Sequence, residues 1–291
     1  MGKSQRNQAR GARQKIAEQR AAERRAGRVR TALLAGSSVL VVLVVVVVLV
    51  AVKLGGSPAP VGGARADIAV ARQIGSVPAA VFDAVGKGTA SGLAPVAGRP
   101  ELTSGGKPEV LYMGGEYCPF CAAERWALAA ALSRFGTFSG LRFIHSSPTD
   151  VYPGTPTLSF YGSRYASRYL AFSGVEWYGE RNDPSTPFGH VYLQRPTGAE
   201  LAAFSRFARG SVPFVDIGDR YLVPQAQYLP SALAGLTWAQ VAAAMRNPAS
   251  PVARDVDGAA NMITAAICTL THGRPGDVCS SSGVTAARGS I

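Results

Sequence analysis

Histidine and cysteine are scarce in this sequence, with three of the first and four of the second in 291 residues. The histidines (His145, His190, His272) are scattered, and the cysteines fall into two local pairs, Cys118 with Cys121 and Cys268 with Cys279. No Cys/His set has zinc-ribbon or zinc-finger spacing, so no metal site is expected. Acidic residues are few, 18 against 30 Lys and Arg, and charged residues make up only 16% of the chain. There is no internal repeat, which excludes solenoids and propellers.

The shortage of charge is sharpest between Thr31 and Val52, a run of 22 residues with none. Roughly 20 apolar residues span a hydrocarbon core as a helix. A cleaved signal peptide has a shorter apolar region, about 7–15 residues, so residues 31–53 are expected to stay as a transmembrane helix in contact with lipid. Residues 1–30 hold ten Lys/Arg and two acids. Positive charge marks the cytoplasmic flank, which places this tail inside and everything after the helix outside, in a single-pass arrangement at the cell membrane. The tail has no aromatic residue among its basic ones, so it reads as a topology signal and no nucleic-acid partner is expected.

Residues 54–66 are rich in Gly, Pro and Ala and read as a linker. The remainder, 67–291, is expected to be one extracytoplasmic domain. Residues 67–86 suit one or two short helices broken at Pro78. Val110–Met113 is an apolar run between Pro108 and Gly114-Gly115, which suits a strand buried on both faces. Leu128, Ala131, Leu132 and Phe135 have helical spacing, and Leu141–Ile144 is a second candidate strand. Residues 150–196 are expected to form an insertion, with extended aromatic pieces at Thr157–Tyr161 and Arg168–Tyr178. Ala199–Ala208 reads as a helix, and Phe214–Ile217 and Arg220–Val223 around Gly218-Asp219 read as a hairpin. Thr237 and Gln240 make a capping box. Ser250-Pro251 opens a helix whose apolar face runs Val252, Val256, Ala259, Ile263, Ile267, Leu270 to Gly273.

The chemistry concentrates at Cys118-Pro119-Phe120-Cys121. Two cysteines three positions apart at a helix N-terminus can close a tight disulfide or exchange with another one. Unpaired amides and the helix dipole stabilise a thiolate there. The thiolate is the attacking species. Cys118, the outer cysteine, is the expected nucleophile, and Cys121, one turn in, resolves the mixed disulfide. Pro119 suits a first-turn position, where its missing N–H leaves no gap. The bland alternatives for the motif are a structural disulfide or half a metal site. Strand, CxxC, helix is the context that favours redox work.

Thioredoxin-like folds set a cis-proline against the CxxC, at the start of a strand entering a hairpin. Val212-Pro213-Phe214 before the Gly-Asp turn fits that feature. Thr155-Pro156-Thr157 is a rival, but it leaves no room for the helix expected in between. Cys268 and Cys279 admit two readings, a structural disulfide pinning the C-terminal tail or a second redox pair relaying electrons. Glu116 and Arg125 flank the motif and are expected as solvated charges. His145 and the aromatics at 161, 165, 169, 177 and 178 are expected in packing roles.

The stretches Gly114–Trp126 and Leu132–Gly136, with Val212–Gly218 and Ala265–Cys268, resemble an uncharacterised membrane-anchored thioredoxin-like family, a domain of unknown function, over roughly 75–280. The resemblance implies an α/β thioredoxin-like fold with a CPxC motif and gives no substrate. The long stretch between Cys118 and Pro213 departs from plain thioredoxin spacing, hence the insertion. The CPxC form and the hairpin after Pro213 also look like bacterial envelope disulfide-forming enzymes. The expected function is therefore thiol–disulfide exchange with envelope proteins through Cys118–Cys121, supported by Pro119, Phe120, Val212 and Pro213. It needs no small-molecule cofactor but needs a membrane or extracytoplasmic redox partner. The alternative is a non-catalytic binding module with structural disulfides.

Overall fold

The computed structural model describes residues 64–291. The expected basic tail, the membrane span at 31–53 and most of the linker lie outside the described residues. Among the described residues no single helix is long and apolar enough to cross a membrane.

Helix α1 (Ala64–Gly75) begins inside the stretch expected to be linker, which corrects the boundary at 66. Its first turn carries Asp67, the sign of charge the helix N-terminus favours. Pro78 separates it from α2 (Ala79–Val85) and caps the latter's start. Two short strands follow, β1 (Ala94–Pro95) and β2 (Thr103–Ser104), and then β3 (Lys107–Gly115). In β3 the side chains alternate between faces. Val110 and Tyr112 join one hydrophobic cluster, while Leu111 and Met113 join another. All four are almost wholly buried, as expected for a strand covered on both sides.

Helix α3 (Pro119–Ser133) leaves the end of β3 directly, and nearly all its residues are buried. The chain then makes β4 (Gly136–Ser139), β5 (Arg142–His145), β6 (Pro156–Ser159) and β7 (Arg164–Ser167). After these come β8 (Ala171–Asn182) and β9 (His190–Tyr192), helix α4 (Gly198–Phe207), and the hairpin β10 (Phe214–Ile217) with β11 (Tyr221–Val223). A 3-10 turn at Pro230–Leu233 leads to α5 (Trp238–Ala244), α6 (Pro251–Leu270), α7 (Gly276–Cys279) and α8 (Ser282–Arg288).

The main sheet is mixed and runs β1-β11-β10-β3-β8-β9, with β2 paired to the start of β3. Its centre is β3, antiparallel to β10 and parallel to β8. Helices α3 and α6 lie on the Val110/Tyr112 face, and α4 covers the Leu111/Met113 face through Phe204. The molecule is thus a mixed α/β structure with helices on both sides of one sheet.

One expectation needs correction. The parallel neighbour of β3 is β8, while the second candidate strand, 141–144, forms as β5 and pairs only with β6, apart from the main sheet. The stretch 150–196 is therefore no simple insertion, because its middle supplies a central strand. Burial explains the choice. β8 sends Val175 and Trp177 into the α4 side and Glu176 into the α3 side. Strand β5 alternates exposed Arg142 with buried Phe143, which suits a pair with one wet face. What stands apart from the main sheet is the pair of ribbons β4–β7 and β5–β6, held to α3 by Trp126 Nε1 donating to Pro156 O at 2.9 Å and Thr157 Oγ1 donating to Ala122 O at 2.9 Å.

The capping signals at Thr237 and Ser250 both form as side-chain caps, and Thr197 caps α4 in the same way. The β10–β11 hairpin turns on Gly218 and Asp219, both at positive φ (68° and 53°), as a tight antiparallel connection requires. Asn261, in mid-α6, ties three helices together. Its amide donates to Phe82 O at 2.8 Å and Gly86 O at 2.7 Å, and its carbonyl accepts from Arg134 at 2.8 Å. Asn261→Leu keeps the volume roughly but strands those carbonyls and part of the guanidinium. Denaturant unfolding should show a loss of at least about 2 kcal/mol.

Glu124 and Asp257 are wholly buried and make no salt bridge among the described residues. Burial pushes Glu124 up to about 7 and Asp257 up to about 8. In both, the folded state holds a proton that the unfolded chain releases. Their contribution to stability is full below the ordinary values of 4.5 and 3.8 and is lost as pH rises towards about 8. Unfolding free energy should fall over that range, and Asp257→Asn should flatten the fall. An unchanged slope in that variant would contradict the assignment.

Candidate functional site

The geometry of Cys118 follows from where the strand ends and the helix starts. Strand β3 delivers Gly114-Gly115, and the chain turns through Glu116-Tyr117, with the Cys118 amide donating to Gly115 O at 3.2 Å. Cys118 is the N-cap of α3, in extended conformation, with Pro119 at the first helical position. Its sulfur takes the role of a capping oxygen: the Cys121 amide donates to Cys118 Sγ at 3.2 Å. Both thiols are free, Cys118 is 5% exposed, and Cys121 is fully buried.

From the other side of the sheet entrance comes Val212. Its carbonyl accepts from the Cys118 thiol at 3.9 Å, and the Val212–Pro213 peptide bond is cis. Residues 94 positions apart in sequence thus meet because β10 pairs antiparallel with β3, Phe214 opposite Met113. Pro156, the rival proline, begins β6 opposite His145, where its carbonyl accepts from Trp126. The structure has a second cis bond, Arg274–Pro275, between the other two cysteines.

The two thiols are unequal. The largest influence on Cys118 is the hydrogen bond from the Cys121 side chain, which lowers its pKa. Burial opposes this, while the Cys121 and Phe120 amides and the Arg125 charge act with it. For Cys121 burial is the largest influence, and with the Cys118 charge beside it the thiol is pushed well above the ordinary value. The outer thiol is poised to ionise and the inner one to keep its proton.

Glu116 and Arg125 were expected to be solvated, and both are buried. Arg125 forms a bidentate pair with Glu176 of β8, Nε to Oε1 and Nη2 to Oε2, each at 2.8 Å, and Nη2 also donates to Gly115 O at 2.6 Å. A helical residue four positions after Cys121 points back along the same face, and there it meets β8 and not water. Glu116 accepts from Ser159 Oγ at 2.6 Å and Arg142 Nη2 at 3.0 Å. The sequence signal for this was the adjacent charges Glu124-Arg125 inside the otherwise apolar run Ala122–Leu132, matched by Glu176 in Val175-Glu176-Trp177.

Aromatic side chains rim the motif. Tyr117 stacks on His190 at 3.8 Å between centroids, and Phe120 meets Tyr152 edge-on at 5.6 Å. The loop carrying Tyr152 is tied in by the Ser147 amide donating to Tyr117 O at 2.8 Å. Tyr152 and His190 were missed by sequence reading, since neither lies near the motif in the chain. His145 leans on Trp238 with centroids 4.7 Å apart, and burial lowers its pKa. Tyr165 and Tyr169 pack against the larger cluster, Trp177 packs against Phe204, and Tyr178 lies against Tyr192. Tyr161 sits at the surface under the Arg142 guanidinium.

Cys268, in the last turns of α6, is bonded to Cys279 in α7, and both are buried. Among the described residues no group of three or more His, Cys, Asp or Glu is arranged to hold a metal ion.

A family model described as a domain of unknown function (DUF929) matches residues 97–185. That stretch is similar to an uncharacterised family and includes β3, the Cys118–Cys121 motif, α3 and β8. It is narrower than the expected span of roughly 75–280 and leaves out Val212–Gly218 and Ala265–Cys268. No curated protein and no solved structure matches the chain.

Thiolate absorbance in the ultraviolet checks the asymmetry of the pair. In the reduced protein Cys118 should titrate below the ordinary thiol value of about 8.5. Cys121→Ala removes the donor with the largest influence, so the Cys118 midpoint should move up. A midpoint that stays put in that variant would assign the low value to another cause.

Proposed function

We propose that this protein is a thiol–disulfide oxidoreductase with a thioredoxin-like fold, in which Cys118 exchanges disulfides with protein thiols and Cys121 resolves the mixed disulfide. The observation that carries the reading is one contact set: Cys118 at the N-cap of α3, accepting from the Cys121 amide at 3.2 Å and facing the Val212 carbonyl before cis-Pro213. A lowered Cys118 pKa supplies the attacking thiolate. A raised Cys121 pKa keeps the inner sulfur protonated until the mixed disulfide forms. The electrons travel through the cysteine pair, so the reaction calls for a redox partner and no bound cofactor. The apolar run at 31–53 and the basic tail before it support a membrane anchor with the domain outside the cell, where envelope proteins are the substrates. In this reading the buried Cys268–Cys279 bond is structural.

A second reading, a binding module with an inert cysteine pair, draws on the burial of both sulfurs, since a thiol that is 5% exposed offers a partner little access. Redox titration separates the two. The full chain in detergent is equilibrated in graded glutathione buffers and its free thiols are trapped. A reversible two-electron transition that disappears in Cys118→Ser, with a midpoint above about −300 mV, supports exchange. A pair that stays oxidised below that potential rejects it in favour of the binding module.

A further inference from the structure

Beneath the motif lie two hydrogen-bond donors that have no acceptor. Tyr112, on β3, is wholly buried, and its hydroxyl has no hydrogen-bond partner. Arg125 is equally buried, and its Nη1 is unpartnered although Nε and Nη2 are fully engaged. The two are neighbours, with the guanidinium carbon 5.8 Å from the Tyr112 ring centroid. Leaving a buried donor unpaired is costly. A phenylalanine at 112 would fill the same apolar space without that cost.

The hydroxyl has its place because residue 114 is glycine. A Cβ on Gly114 would stand 2.1 Å from Tyr112 Oη. The Tyr112 hydroxyl therefore occupies room at the top of β3, beside Gly114, the residue before Gly115. Gly115 in turn accepts from Arg125 through its carbonyl and lies against Cys121 through its amide. The charges of Cys118 and Cys121 both act on Tyr112, and that of Cys121 acts on Arg125, so both donors share the sulfurs' local field.

We propose that the Tyr112 hydroxyl and Arg125 Nη1 form a buried donor pair that receives the negative charge of Cys121 while it resolves a mixed disulfide. The inference rests on the exchange reaction above. In the mixed disulfide, Cys118 Sγ is bonded to a partner sulfur. Cys121 loses its proton, and its thiolate attacks Cys118 Sγ. The Cys118–Cys121 bond forms, and the bond to the partner breaks. The electron pair leaves on the partner sulfur, which takes up the proton that Cys121 released, so the partner cysteine is reduced and the pair is oxidised. A thiolate on Cys121 has no water to solvate it, and hydrogen bonds from Tyr112 and Arg125 replace that solvation. Glu176, bonded to Nε and Nη2, balances the guanidinium charge and leaves Nη1 free.

Tyr112→Phe removes one oxygen and keeps the ring. The reduced full chain in detergent, wild type and variant, is mixed with oxidised glutathione, quenched with acid and weighed intact. The first attack by Cys118 should proceed at the wild-type rate. The glutathione adduct should then decay about tenfold more slowly in the variant, the effect of losing one hydrogen bond to a charged group. The thermal midpoint of the reduced variant should equal or exceed the wild type, since an unpaired buried hydroxyl is gone. Adduct decay at the wild-type rate overturns the role of Tyr112, and so does equal slowing of both steps with a lowered midpoint. If the wild type forms no adduct, the exchange reaction itself fails, and this inference fails with it.

Discussion

A guanidinium without access to water is among the costliest groups a protein core can hold, and it is tolerated only when its charge and most of its donors are met. Arg125 meets that condition through Glu176 and Gly115 O, and the requirement ties together α3, β8 and the end of β3. Helix α3 has its start fixed over the strand end, and β8 is fixed parallel to β3 in the register that brings Glu176 opposite Gly114. The Cys118–Cys121 pair stands on this joint. Removing either partner of such a pair leaves a buried charge, typically at about 3–5 kcal/mol. The pair therefore fixes position more than it adds stability.

With α3 so held, its first turn imposes different surroundings on two identical thiols. Cys118 stands outside the helix, where it accepts from the Cys121 amide and thiol. Cys121 stands one turn deeper, where burial dominates. A lowered and a raised pKa three residues apart need no separate base. They follow from the Cys121 thiol and amide both donating to Cys118, and from the depth at which the helix sets Cys121.

The rest of the domain supports that turn from several sides. Alanines at 122, 123, 127 and 129–131 keep α3 slender, so α6 packs closely on it, and the aromatic ribbons β4–β7 and β5–β6 close over its other flank. The Cys268–Cys279 bond and Asn261 secure α6 to the helices around it. Tyr117 on His190 and Phe120 on Tyr152 give the motif an aromatic rim.

The sequence by itself determined the features that depend on neighbours in the chain. These were the CxxC at a helix start, the break at Pro78, the caps at Thr237 and Ser250, the Gly-Asp hairpin and the strand at Val110–Met113. Each is set by local backbone chemistry or by side-chain period, which a few consecutive residues encode. Only the tertiary structure decided which strand lies beside β3, because parallel neighbours are joined through long crossovers and leave no local signature. It also decided that Arg125 and Glu176 are buried partners, that Val212 faces Cys118, and that Tyr112 is buried beside Arg125 with its hydroxyl unpaired. A charge or a phenol reads the same in the chain whether it meets water or another side chain. The difference is desolvation, and desolvation exists only once the layers have packed.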